Sequence, residues 1–343
     1  MPDFFQQQDR ARSGSHFLVL LYLLAVLSIG VILHAAISFG LTYTGEEGAP
    51  VPDFATNFLD PTIAVITLGL TFLIIGASSL FKVAQLRQGG PAVAAYMGAV
   101  EISPNTTNFA EKRLLNIVEE MALAAGVPKP RVYIMRDENS LNAFAAGYSP
   151  NDAAVAVTTG LLNTLNREEL QAVVGHEFSH ILNGDMRLNI RLIGILHGIF
   201  ALSILGAILL RVGAFSGGGR SRNSRGNGAA ALLALGILIW ILGSVGVLFG
   251  RLIQAAISRK RENLADASAN QFTRNPQAMA DALVLVATGP RRIENPHATE
   301  LAHMLFDSAF ATHPPIIERI RASDPTFDGN LQAARARLLR NRV

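Results

Sequence analysis

Charged residues vanish between Arg12 and Glu46, and the apolar run from Phe17 to Phe39 could cross the roughly 30 Å hydrocarbon layer of a bilayer as a helix. The pattern therefore predicts a spanning helix over 17–39. A cleaved signal peptide is the rival reading, but its apolar region would be shorter, and no small-x-small site follows this one. A second run, Pro61 to Phe81, is bounded by Asp60 and Lys82 and holds no charge, which predicts a second spanning helix over 61–81. Residues 82–190 read as a soluble segment. Helical periodicity runs from about Ala110 to Ala125, and β-branched runs at Arg131–Met135 and Ala154–Thr159 read as strands. Asn166 and Glu169 form a capping box ahead of Leu170, Val173 and Val174, so a helix should begin near Arg167 and end near Gly184. Two further apolar runs, Leu192–Leu210 and about Ala229–Gly250, predict apolar helices over 191–211 and 229–250. Between them, residues 212–228 form a loop rich in Gly, Ser, Arg and Asn. Residues 251–343 are again soluble in character and helical, and no internal repeat is present. The expected fold class is a mostly α membrane protein whose transmembrane or embedded helices carry an α+β domain with a small β-sheet, split between 82–190 and 251–343.

Charge placement gives this layout an orientation. The loop over 40–60 holds Glu46, Glu47, Asp53 and Asp60 but no Lys or Arg, whereas Arg10 and Arg12 precede the first helix and Lys82 and Arg87 follow the second. The positive-inside rule then puts residues 1–16 and the chain after Phe81 in the cytoplasm. The loop over 212–228 breaks the pattern, since a two-pass arrangement would put Arg220, Arg222 and Arg225 outside. Either that loop escapes the rule or the pair is a re-entrant or embedded hairpin. Half of the residues are apolar and 16% are charged, lean for a soluble chain. The net charge of +3 does not indicate nucleic acid, because the basic residues flank apolar runs instead of forming a dense tract interleaved with aromatics. A small-molecule carrier is disfavoured because the four apolar runs hold no Asp, Glu, Lys or Arg to line a pathway. Their histidines, His34 and His197, read as helix-packing residues.

The absence of cysteine changes the chemistry available. It removes thiol nucleophiles, disulfides and thiolate ligands together, so a metal site must be built from His, Asp and Glu. The predicted helix near Arg167–Gly184 contains His176-Glu177-Phe178-Ser179-His180. Residues four apart share a helix face, so both imidazoles can address one ion, and Glu177 can reach a water there without being a ligand. Phe178 is expected in the core. Catalytic zinc usually takes three protein ligands, and the best third candidate is Glu262, which opens a helical stretch after the last apolar run. Asp266, one turn on, could accept a hydrogen bond from a liganding histidine. The alternative for Glu262 is a solvated charge run at a membrane-proximal helix end. Glu262 and His176 can share an ion only on one side of the membrane, so the two intervening apolar runs cross twice or not at all.

Four segments occur in order: Asn142-Ala143-Phe144-Ala145, Gly175 to His180, Glu262-Asn263-Leu264-Ala265-Asp266, and His313-Pro314-Pro315 with Arg319. Over roughly Ala110 to Ile320 the chain resembles the HtpX-type integral-membrane zinc metallopeptidases, relatives of the CAAX prenyl proteases and the mitochondrial stress proteases. The resemblance implies a zincin-like (gluzincin) catalytic domain with one Zn2+ per chain held by His176, His180 and Glu262. It implies Glu177 as the catalytic acid/base, His313 close to the chemistry, and Asn142, the strand with Val155 and Val157, and Arg319 in substrate binding. The expected partners are polypeptides, above all misfolded or damaged membrane proteins, and the lipid bilayer, with homo-oligomerisation left open. The expected setting is stress response and protein quality control at a bacterial inner membrane, with the catalytic domain in the cytoplasm. The rival function is a catalytically inactive membrane scaffold that retains the motif. Such a scaffold would lack a ligand or have a blocked cleft, and all three ligand candidates are present.

Overall fold

In lipid each backbone N–H and C=O must find its partner within its own segment, so long charge-free runs are forced into helix. The computed structural model describes residues 4–42, 53–216, 225–290, 315–340 and 342. In chain order the elements begin with α1 (Phe4–Leu41), α2 (Phe54–Leu59), α3 (Pro61–Gln85), α4 (Gly90–Tyr96), β1 (Val100–Glu101) and α5 (Phe109–Ala125). Next come β2 (Arg131–Met135), β3 (Ala143–Ala146), β4 (Ala154–Thr158), α6 (Thr159–Thr164) and α7 (Arg167–Asn183). The remaining described elements are helices: α8 (Asp185–Ser216), α9 (Arg225–Thr273), α10 (Pro276–Thr288), α11 (Ile316–Ser323) and α12 (Leu331–Arg340). The chain divides into two units, residues 1–83 with 194–251 and residues 84–193 with 252–343.

The regular elements of the first unit are, among the described residues, all helices. Among the described residues, three helices are long and apolar enough to cross a membrane, Leu23–Leu41, Pro61–Gln85 and Asp185–Phe215, while the apolar stretch Leu232–Leu248 of α9 is shorter. Ile29, Leu33, Ile75, Ile199, Leu202 and Ile239 are buried between the helices, and Leu27, Val65, Leu70, Leu73 and Leu80 face outward. An apolar exterior over an apolar core is what a bilayer requires. Asp60 starts α3, its carboxylate accepting from the N–H groups of Thr62 and Ile63. His34 ties three helices together: its Nε2–H donates to Phe58 O (2.9 Å), and its Nδ1 lies 2.8 Å from Thr67 Oγ1. That is the packing role expected of it. In α8 and α9, glycines allow backbone-to-backbone approach. A Cβ on Gly206 would fall 2.3 Å from Trp240 N, and one on Gly243 would fall 2.5 Å from Ser203 N. Small residues at such contacts are how helices associate where lipid removes the hydrophobic drive.

The second unit is built on a four-stranded sheet in the order β1-β2-β4-β3, with β2 and β4 parallel and both outer pairs antiparallel. Side chains alternate across it. Val132, Ile134, Ala143, Ala145, Val155 and Val157 enter one core, while Tyr133, Met135, Phe144, Ala146, Ala154 and Ala156 enter another with Leu86, Val93 and Ile190. Because both faces are covered, β4 reads as an unbroken apolar run, and all five of its residues are buried. Helix α7 packs against α5, α10 and the edge strand β3.

Candidate metal centre

The motif helix is fixed at both ends by the residues that predicted it. Asn166 caps the N-terminus and exchanges hydrogen bonds with Glu169, and Gly184 closes the C-terminus at φ 72°, a conformation glycine adopts without strain. Phe178 is fully buried in the core, which sets the rotation of the helix and turns His176 and His180 to one side. Glu262 meets them from α9. The expectation that Glu262 opens a helix is corrected: α9 runs unbroken through it from Arg225 to Thr273. No helix-breaking residue lies between the apolar stretch and the ligand candidate, so nothing interrupts the backbone ladder.

The three side chains converge. His176 Nε2 and His180 Nε2 are 3.2 Å apart, Glu262 Oε2 is 3.3 Å from the first, and Glu262 Oε1 is 3.6 Å from the second. Tetrahedral zinc with bonds of about 2.0–2.1 Å spaces its ligand atoms roughly 3.3 Å apart, which these separations match. The outer ring nitrogens explain the facing pair. His176 Nδ1 lies 2.8 Å from Asp266 Oδ1, and His180 Nδ1 lies 3.0 Å from Asp185 Oδ2. A carboxylate only accepts, so each Nδ1 carries the hydrogen, and in the neutral ring each Nε2 presents a bare lone pair to the other. Two lone pairs and a carboxylate aimed at one buried point are what a cation resolves.

The surrounding charges point the same way. Arg319 clamps Asp266 with two hydrogen bonds of 2.8 Å, and Arg261 pairs with Asp185. Burial alone would raise Asp266, but the Arg319 guanidinium and the His176 hydrogen bond hold it below the usual carboxylate range. Burial pulls His176 down, yet its bonds to Asp266 and Glu262 push it up to about 9. His180 is raised similarly, its burial outweighed by Asp185 and the charge of Glu262. Glu177 is 2% exposed, and burial raises it against the pull of the two imidazoles and the Ala145 N–H.

Other expected site residues fall elsewhere. Val155 and Val157 cannot offer an edge to substrate: β4 is paired on both sides, by β2 and β3, and both residues are fully buried. The sheet edge on that side is β3. Arg319 does not face substrate either, because its side chain is 1% exposed and directed at Asp266, with Glu262 Oε2 3.9 Å away. Asn142 is buried at the start of β3, where its Oδ1 accepts from Ala143 N and its carbonyl accepts from Thr158 N and Oγ1. His313 lies outside the described residues. Asp185 and Arg261 are absent from the sequence-based expectations. Their signal was slight: an acidic residue just past a helix-ending glycine, and one arginine in a basic run before Glu262.

Comparison with known proteins agrees with this geometry. Residues 108–325 match the model of Peptidase family M48. A protein described as Protease HtpX homolog from Streptococcus equi subsp. equi (strain 4047) is 40% identical over 268 residues, covering 74% of this chain and 84% of the relative. One of the same description from Thermoanaerobacter pseudethanolicus (strain ATCC 33223 / 39E) is 41% identical over 265 residues with the same coverage. Another, from Caldanaerobacter subterraneus subsp. tengcongensis, is 44% identical over 216 residues, 61% of this chain and 70% of the relative. The match spans the segments that carry His176, His180 and Glu262 and the apolar helices between them, and the chain belongs to peptidase family M48.

Proposed function

We propose that this chain is a membrane zinc endopeptidase of the HExxH…E type that cleaves misfolded or damaged membrane proteins on the cytoplasmic side of a bacterial inner membrane. The observation that carries the reading is the convergence of His176 Nε2, His180 Nε2 and the Glu262 carboxylate within 3.2–3.6 Å of one another, each imidazole held from behind by a carboxylate. Zinc, when bound there, supplies Lewis-acid polarisation of the scissile carbonyl and of a water molecule. Glu177 takes the proton from that water as it attacks and returns it to the leaving amine nitrogen. Its burial raises its affinity for a proton, which suits a base that must then act as an acid.

Substrate lies along β3. Thr158 N donates to Asn142 O, so by the alternation of an antiparallel pair Ala143 and Ala145 turn their backbone groups to the outer edge. There the Ala143 N–H is taken by Asn142 Oδ1 and the Ala145 N–H is directed to Glu177. The outward carbonyls of Ala143 and Ala145 are then the groups left to accept from the N–H groups of an extended peptide, recognition through backbone that gives broad sequence tolerance. Arg10, Arg12, Lys82 and Arg87 support a cytoplasmic site.

The test uses the full chain in detergent and in proteoliposomes, parent against Glu177→Gln. One zinc per chain in both, with cleavage of an unfolded membrane protein by the parent alone, is the expected result. Undiminished turnover by the variant would remove Glu177 from the chemistry. A zinc-loaded parent that cleaves nothing would leave the scaffold reading.

A further inference from the structure

We propose that Asp185 and Arg261 are positioning residues of the metal centre: Asp185 fixes the tautomer and ring plane of His180, and Arg261 holds Asp185 in place from the helix that carries Glu262. The inference rests on the zinc-centre reading and adds residues that reading does not use. Three observations carry it. Asp185 Oδ2 is 3.0 Å from His180 Nδ1, and its other oxygen is engaged by the Arg261 guanidinium. The side chains of Asp185 and Arg261 are 7% and 18% exposed, too enclosed for a freely solvated surface pair. The arrangement also repeats the one on the other ligand, where His176 leans on Asp266 and Asp266 on Arg319.

The two supports differ in where they come from along the chain. Asp266 lies on α9 with Glu262, so its partner Arg319 stabilises groups that α9 already brings together. Asp185 is the first residue of α8, directly after the glycine that ends the motif helix, and Arg261 immediately precedes Glu262. One ion pair therefore joins the segment that bears both histidines to the segment that bears the third ligand. Arg261 and Glu262 are consecutive on α9, so the contact that holds Asp185 and the third ligand candidate are presented by the same helical turn. An outer partner that fixes ring orientation and raises ligand basicity changes metal affinity by about 10- to 100-fold in other zinc proteins.

The experiment measures Zn2+ affinity of the full detergent-solubilised chain by competition with a chromophoric chelator, together with the visible spectrum of the Co2+-loaded chain. Parent, Asp185→Asn, Arg261→Gln and Arg261→Lys are compared. Asp185→Asn and Arg261→Gln should each weaken Zn2+ binding by about 10- to 100-fold and alter the Co2+ spectrum, with Arg261→Lys recovering part of the loss. If both variants hold Zn2+ as tightly as the parent, the proposal is wrong, even where their melting temperatures fall. Should Asp185→Asn fail to fold, Arg261→Gln, which keeps the carboxylate, decides the question alone. A parent chain that binds no Zn2+ overturns the metal-centre reading itself, a result separate from tight binding by parent and variants alike.

Discussion

In the zinc-centre reading, protons and zinc compete for the same nitrogen at His176. Because Asp266 and Glu262 push this imidazole from 6.5 up to about 9, much of the zinc-free population carries a proton at neutral pH. Zinc affinity should therefore climb as pH rises from 6.5 toward 9 and level off above, as chelator competition at fixed ionic strength will register. Arg319 makes a sharper case. Removing it leaves the buried Asp266 with His176 as its remaining charged partner, and Arg319→Ala should lose about 3–5 kcal/mol of stability at neutral pH. Asp266 is depressed in the folded chain, so its contribution is present above the ordinary value of 3.8 and lost as pH falls through its folded-state value. The gap between parent and Arg319→Ala in denaturant melts should narrow on acidification below about pH 4. At this scale the sequence was legible where chemistry depends on local spacing. His176, Glu177 and His180 sit within one helical turn, and their periodicity alone aligns them. Glu262 stood out by its position after the last apolar run, but family resemblance was needed to prefer it over a solvated charge run, since no spacing rule reaches across an apolar hairpin. The partners of Arg319 and Asp185 come together only through tertiary packing.

Elements were legible in proportion to how local their determinants are. The Asn166–Glu169 box and Gly184 fixed α7 to the residue. Asn166→Ala should cost about 1 kcal/mol, read as a fall in denaturant midpoint, because the Glu169 N–H loses its acceptor. Strand β4 was legible, but its place inside the sheet was not: small and β-branched residues on both faces announce burial without saying which strands flank it. In the helical unit, the Gly206 and Gly243 contacts imply a fixed register between α8 and α9. Ser203 Oγ and Ser244 Oγ are 3.5 Å apart, and the chain has no cysteine of its own. The double variant Ser203→Cys with Ser244→Cys should therefore form an internal disulfide under mild oxidation, seen as loss of maleimide labelling that a reductant restores. Persistent labelling would mean a different register.

For the molecule as a whole, alternating apolar and soluble stretches announced a membrane protein, and the change of character near 82–190 and 251–343 suggested one α+β domain split in two; the structure groups residues 84–193 with 252–343. Residues 84–193 and 252–343 form one unit although the stretch 194–251 belongs to the other. This order carries a consequence in time. A ribosome makes His176, Glu177 and His180 well before Glu262, and Arg319 later still. Until Glu262 is made the nascent chain holds two of the three groups proposed to grip the ion, so under that reading a protease still being synthesised stays unarmed until that carboxylate has emerged.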